Sequence, residues 1–300
     1  STELYQQILS GRISDDAPSL APDDTVPLNR SASYVLTVQR RPLVGPVRAG
    51  DPRAVDGVRP SGHHLPADLT AFVGRQAELE TLNSLVRHHR LVTLTGIGGC
   101  GKSRLALEVA RRLVSECRHG AWYIDLAPLT SPASLTRHIT ETLGIDPQGD
   151  GTPDVALVAA LRSQSLILVL DNCEHVISAC RALLLRLLQA CPGVRAIATT
   201  RMPFRVPGEI VWPVPPMRLP DPREPSPPPH ELLEYDAVRL FVDRASKARP
   251  GFSLDVHNAH SIVEICQALD GNPLAIEMAA GLMKVISPPQ VAKLLGDRSQ

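Results

Sequence analysis

Aromatic residues are scarce in this 300-residue chain: two Trp, four Tyr and four Phe make up 3% of it. Hydrophobic residues reach 43% overall, so the core has to be built from aliphatic side chains. Excess charge is missing as well. Lys plus Arg and Asp plus Glu number 31 each, which gives a formal net charge of zero. That balance excludes a chain whose main work is electrostatic grip on nucleic acid or on an anionic membrane. No apolar run approaches the ~18 residues of a membrane span, and Ser1 to Ser10 lack the basic-then-apolar layout of a signal peptide. A cytoplasmic protein without a membrane partner is expected. The six cysteines, at 100, 117, 173, 180, 191 and 266, form no CxxC pair and no His-supported ligand spacing. They read as small core residues rather than as disulfides or a zinc site. Lysine is rare, at 102, 247, 284 and 293 only, so the place of each one carries information.

What is abundant is proline, and it marks the organisation. Eight of the 28 prolines fall between Pro18 and Pro66, among Asp, Arg, Ser and Gly and without sustained periodicity. Residues 16–66 therefore read as a linker. Ahead of it, Leu4, Tyr5, Ile8 and Leu9 have helical spacing, and residues 1–15 read as the end of an upstream helical domain. Nine more prolines crowd Pro213 to Pro229, so residues 216–230 read as a connector between residues 67–215 and residues 231–300.

Between the two proline-rich stretches the pattern alternates in period. Leu91–Thr95, Ala121–Asp125, Leu166–Leu170 and Val194–Thr200 read as strands, with Glu209–Val214 a fifth. Ser103–Val114 places Ala106, Val109, Ala110 and Leu113 on one helix face, and Ala133–Leu143 and His175–Cys191 are further helices. The fully apolar strand Leu166–Leu170 is of the kind found inside parallel sheets. Alternating strands and helices imply an α/β fold with a parallel sheet in three layers. After Pro229 the strand signals stop, and Leu232–Lys247, Ala259–Leu269 and Pro273–Val285 read as helices of a small second subdomain.

Gly96-Ile97-Gly98-Gly99-Cys100-Gly101-Lys102-Ser103 matches G-x-x-x-x-G-K-[ST] at every fixed position, between a strand and a helix. Glycines let the backbone curl until successive N–H groups point inward at an anion. The helix start adds unpaired donors and the positive end of its dipole. Lys102 supplies a point charge for the β- and γ-phosphates, and the Ser103 hydroxyl can ligate Mg2+. Cys100 occupies a variable position; it reads as a small tolerated side chain, with a redox-sensing thiol as the alternative.

The apolar strand ends in Asp171, where a carboxylate reaches Mg2+ directly or through water. The other reading of Asp171 is a helix cap. ATPases of this kind often carry a second acid directly after the first, to orient the attacking water. Here position 172 is Asn, and the next acid is Glu174. Glu174 is either the general base or a first-turn Glu favoured by the helix dipole.

Phe72-Val73-Gly74-Arg75, the phosphate loop continued through Arg104, Leu168–His175, Ala198-Thr199-Thr200-Arg201 and Leu269–Ala275 follow one another in an order that resembles the NB-ARC class of signal-transduction ATPases. The chain is most similar to the ATPase core of AfsR-like (SARP) and LuxR-like bacterial regulators. The resemblance implies a P-loop NTPase fold, a three-layer α/β/α sandwich followed by a helical lid, that binds ATP or ADP with Mg2+. It implies that Val73, Gly74 and Arg75 pack beside the adenine, that Arg104 joins the loop residues around the nucleotide, and that Arg201 senses the γ-phosphate. It makes Gly271-Asn272-Pro273-Leu274 the counterpart of the GLPL motif, whose proline contacts the base; Asn replaces the first Leu. It also implies an upstream DNA-binding domain outside this chain, a second copy of the chain as a candidate partner, and no direct DNA binding by this piece. The function expected is a nucleotide switch with slow hydrolysis. A small-molecule phosphotransferase, and a scaffold with a hydrolysis-dead nucleotide site, are the alternatives.

Overall fold

Short aliphatic runs become strands here because helices cover them on both sides. The structure, a computed structural model, describes residues 64–145, 152–223 and 227–296. Strands β1 (Leu91–Thr95), β2 (Ala121–Asp125), β3 (Leu166–Asp171), β4 (Val194–Thr200) and β5 (Glu209–Pro213) form one sheet in the order β2-β3-β4-β1-β5. All neighbouring pairs in it are parallel. Helix α1 (Gln76–His88) precedes β1 and α2 (Lys102–Leu113) follows it. Helices α3 (Leu135–Leu143) and α4 (Pro153–Leu161) lie between β2 and β3, and α5 (Ile177–Ala190) between β3 and β4.

The period-2 alternation of strand side chains builds two cores. Leu166, Leu168 and Leu170 join Ile139, Leu157 and Leu184 from α3, α4 and α5 on one face. Ile167 and Val169 join Leu79 and Leu82 of α1 and Leu105 and Val109 of α2 on the other. The result is the three-layer α/β/α sandwich of a P-loop NTPase, with the aliphatic core that the scarcity of aromatics requires. The six cysteines are all buried and free. Among the described residues, no helix is long and apolar enough to cross a membrane.

Beyond the sheet come α6 (Pro229–Leu232), α7 (Asp236–Ala248), α8 (Ala259–Ala268), α9 (Pro273–Gly281) and α10 (Pro288–Gly296). Helix α7 packs on α9 and α8 on α10, with apolar side chains such as Phe241, Ile265 and Ala280 buried in these helices. The start of the connector is docked: Met217 is buried and its N–H donates to the Gly271 carbonyl at 3.0 Å.

Several boundaries differ from the sequence reading. The linker boundary at residue 66 is too late. His64 pairs with the sheet edge, donating to the Ala121 carbonyl and accepting from the Tyr123 N–H, and its ring stacks on Trp122 at 3.6 Å. Leu65 is buried beside it. The rest of the linker and the N-terminal helical stretch lie outside the described residues. The helix expected from His175 starts at Ile177, after a separate 3-10 turn at Cys173–His175. Helices α1, α4 and α10 were not among the elements read from the sequence.

Candidate functional site

Strand β1 is buried along its whole length and delivers the chain to Gly96 at the carboxyl edge of the sheet. Helix α2 is fixed by Leu105, Ala106, Val109, Ala110 and Leu113 on its buried face, so its N-terminus points back at the loop. Gly101 stands at the N-cap with φ 93° and brings no side chain to the first-turn N–H groups, and that turn carries no acid. Those donors and the helix dipole are thus left for an anion. Lys102 Nζ sits inside the curl, donating to the carbonyls of Gly96 at 2.9 Å and Ile97 at 3.0 Å. Ser103 follows in the first turn. Cys100 turns its thiol into the core, 4% exposed and packed against Gly96, which supports the packing reading over the redox alternative.

Strand β4 lies between β1 and β3, so the ends of three adjacent strands meet at this edge. Asp171 closes β3 and is buried. Two hydroxyls hold its carboxylate: Tyr123 from β2 donates to Oδ2 at 2.8 Å, and Thr199 from β4 donates to Oδ1. Burial and the adjacent Asp171 carboxylate push the Tyr123 hydroxyl well up, which keeps it protonated and donating. Thr199 Oγ1 also accepts from the Asn172 N–H at 2.9 Å. Neither Tyr123 nor Thr199 was singled out from the sequence, because only the strand order brings them to Asp171.

Asn172 takes a left-handed conformation, φ 63° and ψ 50°, which Asn and Asp tolerate better than most residues. The bend puts Glu174 in the 3-10 turn rather than in the first turn of α5. Its Oε1 lies 3.6 Å from Arg201 Nε, while Oε2 is buried with no hydrogen-bond partner. The structure therefore brings Arg201, at the end of β4, to Glu174, three residues after Asp171 in the chain.

Val73, Gly74 and Arg75 lie between the loop and the helical lid. Gly74 passes so close to α7 that a Cβ there would be 2.5 Å from Asp236 Oδ1. Arg75 is 3% exposed, lies against Gly101 and donates to the Pro215 carbonyl at 2.9 Å. Burial lowers the pKa of its guanidinium, opposed by Glu78 and Asp236 among its neighbours. Arg104 differs from its expected place around the nucleotide. Its guanidinium is bonded to the Thr70 hydroxyl at 2.7 Å and to the Thr70 carbonyl at 2.8 Å. Its long side chain ties α2 to the segment leading into α1.

Pro273 is the first residue of α9, in the position where its missing N–H costs nothing. It lies near Gly101, and the flanking Asn272 and Leu274 touch the phosphate loop directly. Asn272, read from the sequence only as a departure from a motif, is a further residue that sequence reasoning missed.

Residues 86–201 match the family described as AAA domain. Over 236 residues the chain is 38% identical to an uncharacterized protein of Mycobacterium tuberculosis, Rv0894, covering 79% of this chain and 56% of that protein. Over 217 residues it is 42% identical to a second protein of that bacterium, Rv0890c, which carries the provisional name HTH-type transcriptional regulator; this covers 72% of the chain and 23% of that protein. The chain thus spans about half the length, or less, of the curated relatives it matches. Among solved structures, a Walker-type ATPase of Pyrococcus abyssi aligns with a TM-score of 0.49 at 16% identity, over 77% of this chain and 75% of that one, a level that carries no assignment. Sheet and loop give the core of this chain the P-loop NTPase fold, and within that core residues 86–201 are similar to the AAA domain.

Proposed function

We propose that this chain is the ATP- and ADP-binding switch domain of a bacterial transcriptional regulator of the NB-ARC kind, with slow hydrolysis resetting it. The observation that carries this reading is the lid docked on the phosphate loop: Asn272 Nδ2 donates to the Gly98 carbonyl at 3.1 Å, so lid position and loop conformation are in direct contact. A regulator named for its helix-turn-helix among the relatives supports the regulatory setting. The DNA-binding part would belong to the whole regulator, and a second copy of the chain is a candidate partner in assembly.

Within the site, the loop N–H groups from Gly96 to Ser103 and the Lys102 ammonium bind phosphate. Val73, Gly74, Arg75 and Pro273 flank the nucleotide. Ser103 and Asp171 are the residues to hold Mg2+. Among the described residues there is no cluster of three metal-ligating side chains, which suits a cation that keeps its waters and is held mostly by phosphate oxygens. The Tyr123 and Thr199 hydroxyls take one site on each Asp171 oxygen and leave others free. Bound Mg2+ would neutralise charge on the β- and γ-phosphates. Arg201 reads the γ-phosphate and Glu174 takes the proton of the attacking water.

Lys102 decides the reading. A charge-assisted contact to phosphate is worth about 2–3 kcal/mol, so Lys102→Ala weakens ATP binding at least about tenfold in titration calorimetry. Equal affinities for the two proteins would remove the phosphate-loop reading.

A further inference from the structure

The lid meets the loop through the N-terminus of α9, and one side chain faces both. Asn272 Oδ1 caps the helix, accepting from the N–H of Leu274 at 3.1 Å and of Ala275 at 3.3 Å. The other arm of the same amide, Nδ2, donates to the Gly98 carbonyl at 3.1 Å. The Leu274 N–H also reaches the Gly99 carbonyl at 3.3 Å. No gap is left for adjustment: a Cβ on Gly99, at φ 77°, would stand 2.9 Å from Asn272 Oδ1 and 3.0 Å from Leu274 Cβ.

The two carbonyls belong to consecutive peptides of the phosphate loop. In a planar trans peptide the C=O and the following N–H point to opposite sides. A Gly98 carbonyl held by the lid therefore turns the Gly99 N–H to the opposite face, and a held Gly99 carbonyl does the same for Cys100. That opposite face is identified by Ile97, whose carbonyl faces the Cys100 N–H at 3.5 Å and accepts from Lys102 Nζ at 3.0 Å. The Cys100 N–H and the lysine ammonium thus converge on one side of the loop, the side on which an anion is bound.

We propose that Asn272 is a positioning residue for phosphate binding: from the lid, it holds the Gly98–Gly99 peptide directly, and the Gly99–Cys100 peptide through the Leu274 N–H that it orients, with the N–H groups of both presented to phosphate. The proposal rests on the nucleotide-binding reading above and deepens it. By linkage the effect is reciprocal, so phosphate in the loop also fixes the carbonyls that α9 docks on, and nucleotide strengthens lid docking. Leucine, the residue of the GLPL pattern at this position, has no donor for this contact.

Two variants separate this role from simple helix capping. Asn272→Asp keeps the capping acceptor and adds favourable charge at a helix N-terminus, but it has no N–H for Gly98. Asn272→Ser keeps a cap and lacks the second arm. Both are expected to melt, without nucleotide, within about 2 °C of the parent, and to bind ADP about three- to tenfold more weakly. Hydrogen exchange supplies a readout that capping alone would not move. In the parent, saturating ADP slows exchange of the Leu274 and Ala275 amides; in Asn272→Asp it does not. Unchanged ADP affinity in both variants overturns the proposal, and so does parent protein in which ADP leaves those two amides unaffected. The latter needs no variant and decides the matter even where a substitution harms folding. ADP binding that requires Lys102 but not Asn272 sinks this inference alone; a parent that does not bind ADP sinks the nucleotide reading with it.

Discussion

Glu174 has one carboxylate oxygen near Arg201 and the other buried with no partner. Leaving a buried acceptor unmet costs about 1–3 kcal/mol, and such leftover groups concentrate where chemistry is done. Asn172 cannot take a proton from water, so under the switch proposal this oxygen does. Glu174→Gln is then expected to lower ATP turnover by about 10²-fold while ATP affinity stays within about threefold, followed as phosphate release. Unchanged turnover would reduce Glu174 to a partner for Arg201. Lys102, Ser103 and Asp171 were legible in the sequence because each stands at a fixed offset within a local motif. The hydroxyls that orient Asp171 were not: Thr199 is 28 residues away in the chain and Tyr123 is 48. Asn272 was legible only as a departure from a motif, since its hydrogen bond to the loop spans 174 residues.

Helix α4 shows what periodicity hides at the scale of an element. Its sequence is apolar on nearly every side, and only Leu157 and Leu161, one turn apart, are buried. With no polar face to contrast, the pattern gives no helical phase. In α1 the phase is present, with Leu79, Leu82 and Val86 on the buried side, and it follows directly from the loop of Gly74 and Arg75. Asp154 anchors α4 to its neighbours, accepting from the Thr136 hydroxyl of α3 at 2.5 Å and from Arg186 of α5 at 2.6 Å. The Thr136 hydroxyl foremost, then Arg186, holds its carboxyl below the usual aspartate range. Its stabilising effect is therefore complete above the unfolded value of about 3.9 and is lost as pH falls through the lower folded value. Because the pair is partly exposed and screened, Asp154→Asn is expected to cost only about 0.5 kcal/mol at neutral pH. Thermal melts of the two proteins should converge as pH drops below 4. A constant difference down to the most acidic pH would show that packing, not charge, sets the effect.

Across the whole molecule, the composition of residues 16–63 offers too little apolar surface to offset the entropy of ordering, whereas His64 and Leu65 are held by the sheet and the core. Limited trypsin treatment is expected to cut after Arg40, Arg48 and Arg53 first, since Arg41 and Arg59 precede proline and resist trypsin, and to leave a resistant core beginning at Ala54. An intact Arg40–Arg41 bond after the core has begun to degrade would show that the proline-rich stretch docks. That fragment, mapped by mass spectrometry, would carry sheet, loop and lid together.

The sequence by itself determined the α/β class, the strands, the phosphate loop and the acid that ends β3, because each is written in contiguous residues whose spacing matches a backbone period or a turn. It also determined an aliphatic core, from composition alone. Tertiary structure decided what contiguous residues cannot express. It inserted β4 between β1 and β3, which brings Arg201 to Glu174 and Thr199 to Asp171. It turned Arg104 toward Thr70, and it set Asn272 against Gly98. Those relations depend on hydrogen bonds between distant segments, whose partners are fixed only when the sheet has its order and the lid its seat.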